Sequence, residues 1–203
     1  MASSRAQMAE VSELMDAVYR GEQATVERLL SGDPELDVFE AAALGRADRV
    51  RELLERDPSR ARAFAADGFT ALHLTAFFSH DVDSAGLLIE AGADVGAPAR
   101  NAMAVTPLGS AAARGAHPVA VLLLDAGADL GLAQHGGYTP LHSAGANGDA
   151  QLVELLLARG ADPAMAADDG RTPAAMAHER NHPEVAKRLE AAAAKRSDAR
   201  APG

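Results

Sequence analysis

TPLHSAGANGDAQLVELLLARGAD, residues 139–162, reads as two helices joined by a turn. Thr139 is placed to cap the first helix with its hydroxyl, and Pro140 fills the first turn, where a missing amide donor costs nothing. Leu152, Leu155 and Leu156 fall on one stripe at helical spacing, so the second helix has one face to bury. Gly160 ends it in the left-handed conformation that a side chain resists, and Ala161-Asp162 begins an excursion out of the helix.

The same pattern recurs along the chain. TALH at 70–73, TPLG at 106–109 and TPAA at 172–175 repeat the opening at 139–142, with starts 36, 33 and 33 residues apart. GAD recurs in step at 92–94, 127–129 and 160–162. One such unit cannot cover its own apolar faces, whereas a row of near-copies covers them mutually. Aligning on the small residue between the helices puts Gly21, Gly45, Ser79, Gly115, Gly148 and Asn181 at equivalent turns, which gives six helix pairs. The first two turns are only 24 residues apart, too close to hold an excursion, so residues 1–36 read as a capping pair. Units follow at 37–66, 67–101, 102–134 and 135–167, then a C-terminal cap at 168–195 and a disordered tail at 196–203. Excursions are expected near 58–69, 93–105, 128–138 and 161–171. The second is two residues longer than its successors, and the unit before it carries one extra residue around HDVDSAG, 80–86.

The 33-residue period, the T-P-L-H opening, the turn residue and the terminal glycine together resemble the ankyrin repeat family over about residues 12–190. The resemblance implies an all-α repeat solenoid of helix-turn-helix units carrying β-hairpin fingers. It further implies no catalysis and no cofactor, and a protein or peptide partner bound on the concave finger and inner-helix surface. In that family the imidazoles corresponding to His73 and His142 hydrogen-bond the capping threonine and neighbouring backbone, a structural role, and His80 sits where a turn histidine is common.

Composition agrees with a soluble, folded chain: 203 residues, 48% hydrophobic and 24% charged. No cysteine occurs, so disulfides and thiolate metal sites are excluded, which fits a reducing interior. The N-terminus carries charge where a signal peptide needs an apolar stretch, and no run is long enough for a membrane span, so a cytoplasmic location is expected. Only Lys187 and Lys195 are lysines among 19 cations, which with the many alanines suggests a GC-rich bacterial genome. The net charge is −10, and residues 67–129 hold seven acids against two arginines, Arg100 and Arg114. Phosphate binding needs the reverse, so nucleic acid is excluded as main ligand, and a partner with some positive charge is favoured. A monomer is slightly preferred over a self-associating scaffold.

HERNH, 178–182, has the H-E-x-x-H spacing of a zinc-binding helix. The alignment breaks it: Asn181 is a turn residue and Pro183 starts the next helix, so His178 and His182 do not share a helical face. A metal-dependent or accessory role is the alternative reading, with His178, Glu179 and His182 as its residues. No nucleophile elbow, phosphate loop or dinucleotide fingerprint occurs.

Aromatics number seven, and most fall on the presumed binding side. Tyr19, Phe77 and Phe78 lie just before inter-helix turns, Phe69 and Tyr138 precede capping threonines, Phe64 lies in the first finger, and Phe39 alone is expected in the core. Large aromatic side chains make good interface anchors. The partner-binding set read from the sequence is Phe69, Phe77, Phe78, Arg100, Met103, Val105, Arg114, His135, Tyr138 and Asn147.

Overall fold

The computed structural model describes residues 11–200. The first ten positions, on which the signal-peptide reading and part of the N-terminal cap fall, and the last three of the tail lie outside the described residues.

Twelve α-helices among the described residues form six consecutive pairs. They are α1 (Glu13–Arg20) and α2 (Gln23–Leu30), α3 (Val38–Ala43) and α4 (Ala47–Arg56), and α5 (Ala71–Leu74) and α6 (Val82–Glu90). After these come α7 (Pro107–Arg114) and α8 (His117–Asp125), α9 (Pro140–Ala146) and α10 (Ala150–Ala158), and α11 (Pro173–Glu179) and α12 (Pro183–Arg200). None is long and apolar enough to cross a membrane. Side-chain caps start several of the first helices: Ser12 accepts from the Met15 amide, Thr106 from Gly109 and Thr172 from Ala175. Asp37 and Glu40 form a reciprocal capping box at α3.

The inner helices pack on one another in chain order, α1 on α3, α3 on α5, then α7, α9 and α11. Small side chains make that stacking close: Ala42, Ala76, Ala112, Ala144 and Ala177 are fully buried. Gly145 shows how close, because a Cβ there would meet the Pro173 carbonyl oxygen of the next unit at 2.6 Å. The outer helices supply bulk through Leu88, Leu123, Leu156 and Leu189, all fully buried in one continuous core. At the N-terminal end α1 and α2 close the stack with a small cluster of their own, Leu14, Ala17 and Val26. Residues 31–37 connect this pair to α3 without a hairpin, as the short spacing requires.

One helix pair departs from the alignment. From capping threonine to left-handed turn residue the count is nine positions for Thr106 to Gly115, Thr139 to Gly148 and Thr172 to Asn181, but ten for Thr70 to His80. The turn residue is therefore His80 (φ 54°) rather than Ser79. The extra residue sits in the inner helix and not around HDVDSAG: α5 widens into a π turn over Thr75–Ser79, closed by a bond from the His80 amide to the Thr75 carbonyl, 2.8 Å. Ser79 instead donates its hydroxyl to the Ala42 carbonyl of the preceding unit, 2.8 Å.

The fingers are tight, turn-rich hairpins. In three of them an amide bonds a carbonyl four residues on: Ala65 to Phe69, Gln134 to Tyr138 and Ala167 to Arg171, at 2.8–2.9 Å. In the second finger the same bond runs from Ala99 to Val105, six residues on, which accommodates the two additional residues. Fingertips are joined through main-chain atoms: the Arg100 amide donates to the Gly68 carbonyl, His135 to Met103 and Asp168 to Gly136, at 2.8–2.9 Å. The tail differs from expectation, since α12 continues through Arg200. The run AAAAKR is made of strong helix formers, and Arg196 reaches back to the Gly160 carbonyl at 3.2 Å and toward Asp162 at 3.6 Å.

Candidate functional site

A groove of about 510 Å³ runs in the angle between the fingers and the inner helices. One wall comes from the π turn, which presents Phe77 and Phe78 with ring centroids 4.9 Å apart, edge to face. Tyr19 from α1 adds an edge-to-face contact with Phe78 at 5.2 Å and anchors its hydroxyl on the Asp67 carboxylate of the first finger. Phe69, His73 and Leu74 continue this side. The opposite side is the second finger, where Ala102 and Met103 overhang and Met103 is 54% exposed. Ser110 and Ala113 of α7 and Gln134 and His135 of the third finger close the far end.

Both irregularities of the stack converge here. The π turn adds one residue to the helix bearing the phenylalanines, and each added residue rotates the rest of the helix by roughly 100° about its axis. The longer finger puts Asn101 and Ala102 between Arg100, which donates to the first finger, and Met103, which accepts from the third. Asn101 ties the bulge down by donating its side-chain amide to the Asp67 carbonyl, 3.0 Å, and accepting from the Met103 amide, 3.0 Å. The finger then returns through Ala104 at φ 48°, where the other three fingers have Gly68, Gly137 and Gly170 in the same left-handed region.

His73 is buried beneath the groove, with only its edge contributing to the lining. Its Nδ1 lies 2.8 Å from the Thr70 hydroxyl and accepts from the Thr70 amide at 3.2 Å. Its Nε2 faces the Val105 carbonyl at 2.8 Å; a carbonyl only accepts, so Nε2 carries the proton. Burial pushes this imidazole down to about 4, which keeps it neutral. His142 repeats the arrangement two fingers further on, with Nε2 3.1 Å from the Arg171 carbonyl, and burial lowers it too. Each imidazole thus ties the start of one inner helix to the following finger.

Of the residues read from the sequence, Phe69, Phe77, Phe78, Met103, Val105 and His135 line the groove. Val105 is only 5% exposed, so its side chain is floor rather than exposed patch. Arg114 flanks the groove with its guanidinium 5.0 Å over the Phe77 ring. Three residues lie elsewhere. Arg100 stacks 3.8 Å over Phe64 of the first finger. Tyr138 donates to Asp169 at 2.5 Å and accepts from Arg171, locking the third finger to the fourth. Asn147 donates to the Ala112 and Ala113 carbonyls at 3.3 and 3.0 Å, joining neighbouring inner helices. Tyr19, Leu74, Ala102, Ser110, Ala113 and Gln134 belong to the lining but not to the set read from the sequence. Only Tyr19 had a signal, an aromatic just before a turn; the others are set by which finger faces which helix. Phe39, expected in the core, is half-buried against Met15 and Leu74.

The HERNH residues are separated as the alignment requires. His178 is exposed and pairs with Glu190 of α12 at 2.9 Å, while Asn181 turns the chain at φ 63° and the His182 ring packs beside Gly148. No group of three or more His, Asp or Glu side chains among the described residues is arranged to hold a metal ion.

Comparison with known families accords with this architecture. Residues 108–198 match a model described as ankyrin repeats (3 copies), and residues 67–100 match one described as a single ankyrin repeat. No curated protein matches the chain. With the two matches covering more than half of its 203 residues and the helix pairs stacked in sequence order, the chain belongs to the ankyrin repeat family.

Proposed function

We propose that this chain is a non-catalytic interaction module that holds a protein or peptide in the groove between its second and third fingers and its inner helices. Ankyrin repeats generally mediate protein–protein interaction. The observation that carries the reading is the aromatic wall of Tyr19, Phe77 and Phe78 facing the overhanging Met103 across an apolar trough. Aromatic and methionine side chains that remain accessible in a concave site supply large contact area at small ordering cost.

The sign of the partner's charge depends on the site and not on the chain as a whole. Counting carboxylates along residues 67–129 favours a basic partner, yet no lining residue of the groove is acidic.

The test is co-purification from the native host, identification of the retained protein by mass spectrometry, and titration of that protein against wild type and Phe77→Ser/Met103→Ser. Loss of two central anchors should weaken binding by about thirtyfold or more. Unchanged affinity in a variant with native circular dichroism would remove the groove from the interface.

A further inference from the structure

Resting on that reading of the groove, we infer that its occupant is a partner segment in which an aromatic or branched aliphatic side chain stands next to a carboxylate. The trough is mostly apolar, and the charge held against its Phe77 wall is positive. Arg114 lies over Phe77 at 5.0 Å and has no ion-pair partner among the described residues. His135 sits exposed on the opposite lip, at the tip of the third finger. Within residues 67–129 only Arg100 and Arg114 are cations of fixed charge, and Arg114 is the one held against the groove wall.

None of the seven acids of the same span lines the trough, and three of them are held by other groups. Asp67 accepts from the Tyr19 hydroxyl and the Phe69 amide, and Asp125 pairs with Arg159 at 2.9 Å. Asp81 caps α6 by accepting from the Ser84 amide at 2.8 Å. An apolar side chain seated between Phe77 and Met103 would therefore carry its neighbour toward Arg114. A carboxylate there gains an attraction, whereas a lysine or arginine meets a like charge. The volume of about 510 Å³ suits two or three side chains of a short extended segment, and the open outer side lets its backbone continue past the fingertips.

The experiment pans a displayed library of random twelve-residue peptides on the whole chain and measures selected peptides by fluorescence anisotropy. The expected peptides carry Phe, Trp, Leu or Ile beside Asp or Glu. Their affinity should fall about tenfold with Arg114→Glu, fall similarly with Met103→Ser, and weaken as salt is raised. Both positions are exposed, so the variants retain the fold. Apolar peptides that need Met103 but ignore Arg114→Glu, or that carry Lys or Arg beside the anchor, would overturn the charge rule and leave the groove standing. Peptides indifferent to Met103→Ser and Phe77→Ser would overturn both readings. A library yielding no binder would overturn a linear segment as occupant.

Discussion

Replacing Gly145 and Gly86 by alanine makes the same chemical change in two helices and should move stability in opposite directions. In a solvated helix the exchange is worth about 0.5–1 kcal/mol in favour of alanine. Gly86 lies in α6 with nothing within 4 Å of the position a Cβ would take, so Gly86→Ala should gain that amount. At Gly145 the new Cβ would stand 2.6 Å from the Pro173 carbonyl oxygen and 3.3 Å from Leu189 Cδ1. The carbonyl is backbone at the start of α11 and cannot swing away, so α9 and α11 must part by several tenths of an ångström. Overpacking of this kind costs typically 1–3 kcal/mol, which exceeds the helix gain and leaves a net loss of about 1–2 kcal/mol. Thermal melting should show it as a fall of several degrees for Gly145→Ala against a rise of a few degrees for Gly86→Ala. Urea titration supplies the free energies. Equal or greater stability in Gly145→Ala would refute the claim that inner helices touch backbone to backbone at this step.

Two further outcomes concern the groove and its supports. Ala104→Gly relieves a left-handed alanine worth about 1–2 kcal/mol but gives the unfolded chain more freedom, about 0.4–1 kcal/mol, so urea melts should show a net gain of about 0.5–1 kcal/mol; a loss would mean the alanine methyl packs usefully. His73 is held neutral in the folded chain, so its contribution is fully present above its unfolded value of about 6.5 and is lost as pH falls toward about 4; in that window stability should decline by up to about 1.4 kcal/mol per pH unit, and a slope unchanged in His73→Gln would show that this imidazole does not carry it.

The period, the caps and the turns were legible because each is local chemistry: a threonine hydroxyl, a proline ring and a left-handed glycine act within a few residues of themselves. The π turn was not, since the count of residues in TAFFSHDVDSAG shows that one is extra without saying which element absorbs it. Its location is fixed by the Thr75 to His80 backbone bond and by Ser79 reaching Ala42, 37 residues earlier. Of the site, the aromatics before the turns could be read, but Tyr138 and Asn147 occupy equally promising positions and are consumed by contacts to Asp169, Arg171 and the carbonyls of α7. Those partners lie about one unit away in the chain, and a reading confined to one unit does not reach them.

Each step of the seam between fingertips carries one bond from peptide group to peptide group, from Gly68 to Arg100, Met103 to His135 and Gly136 to Asp168. Those bonds ask nothing of the side chains at the tips, and in the second finger they survive a two-residue bulge between donor and acceptor. Mutation can therefore rewrite the letters that meet a visitor while the masonry behind them stays put. A scaffold built so is free to change its acquaintances over generations without learning to fold again.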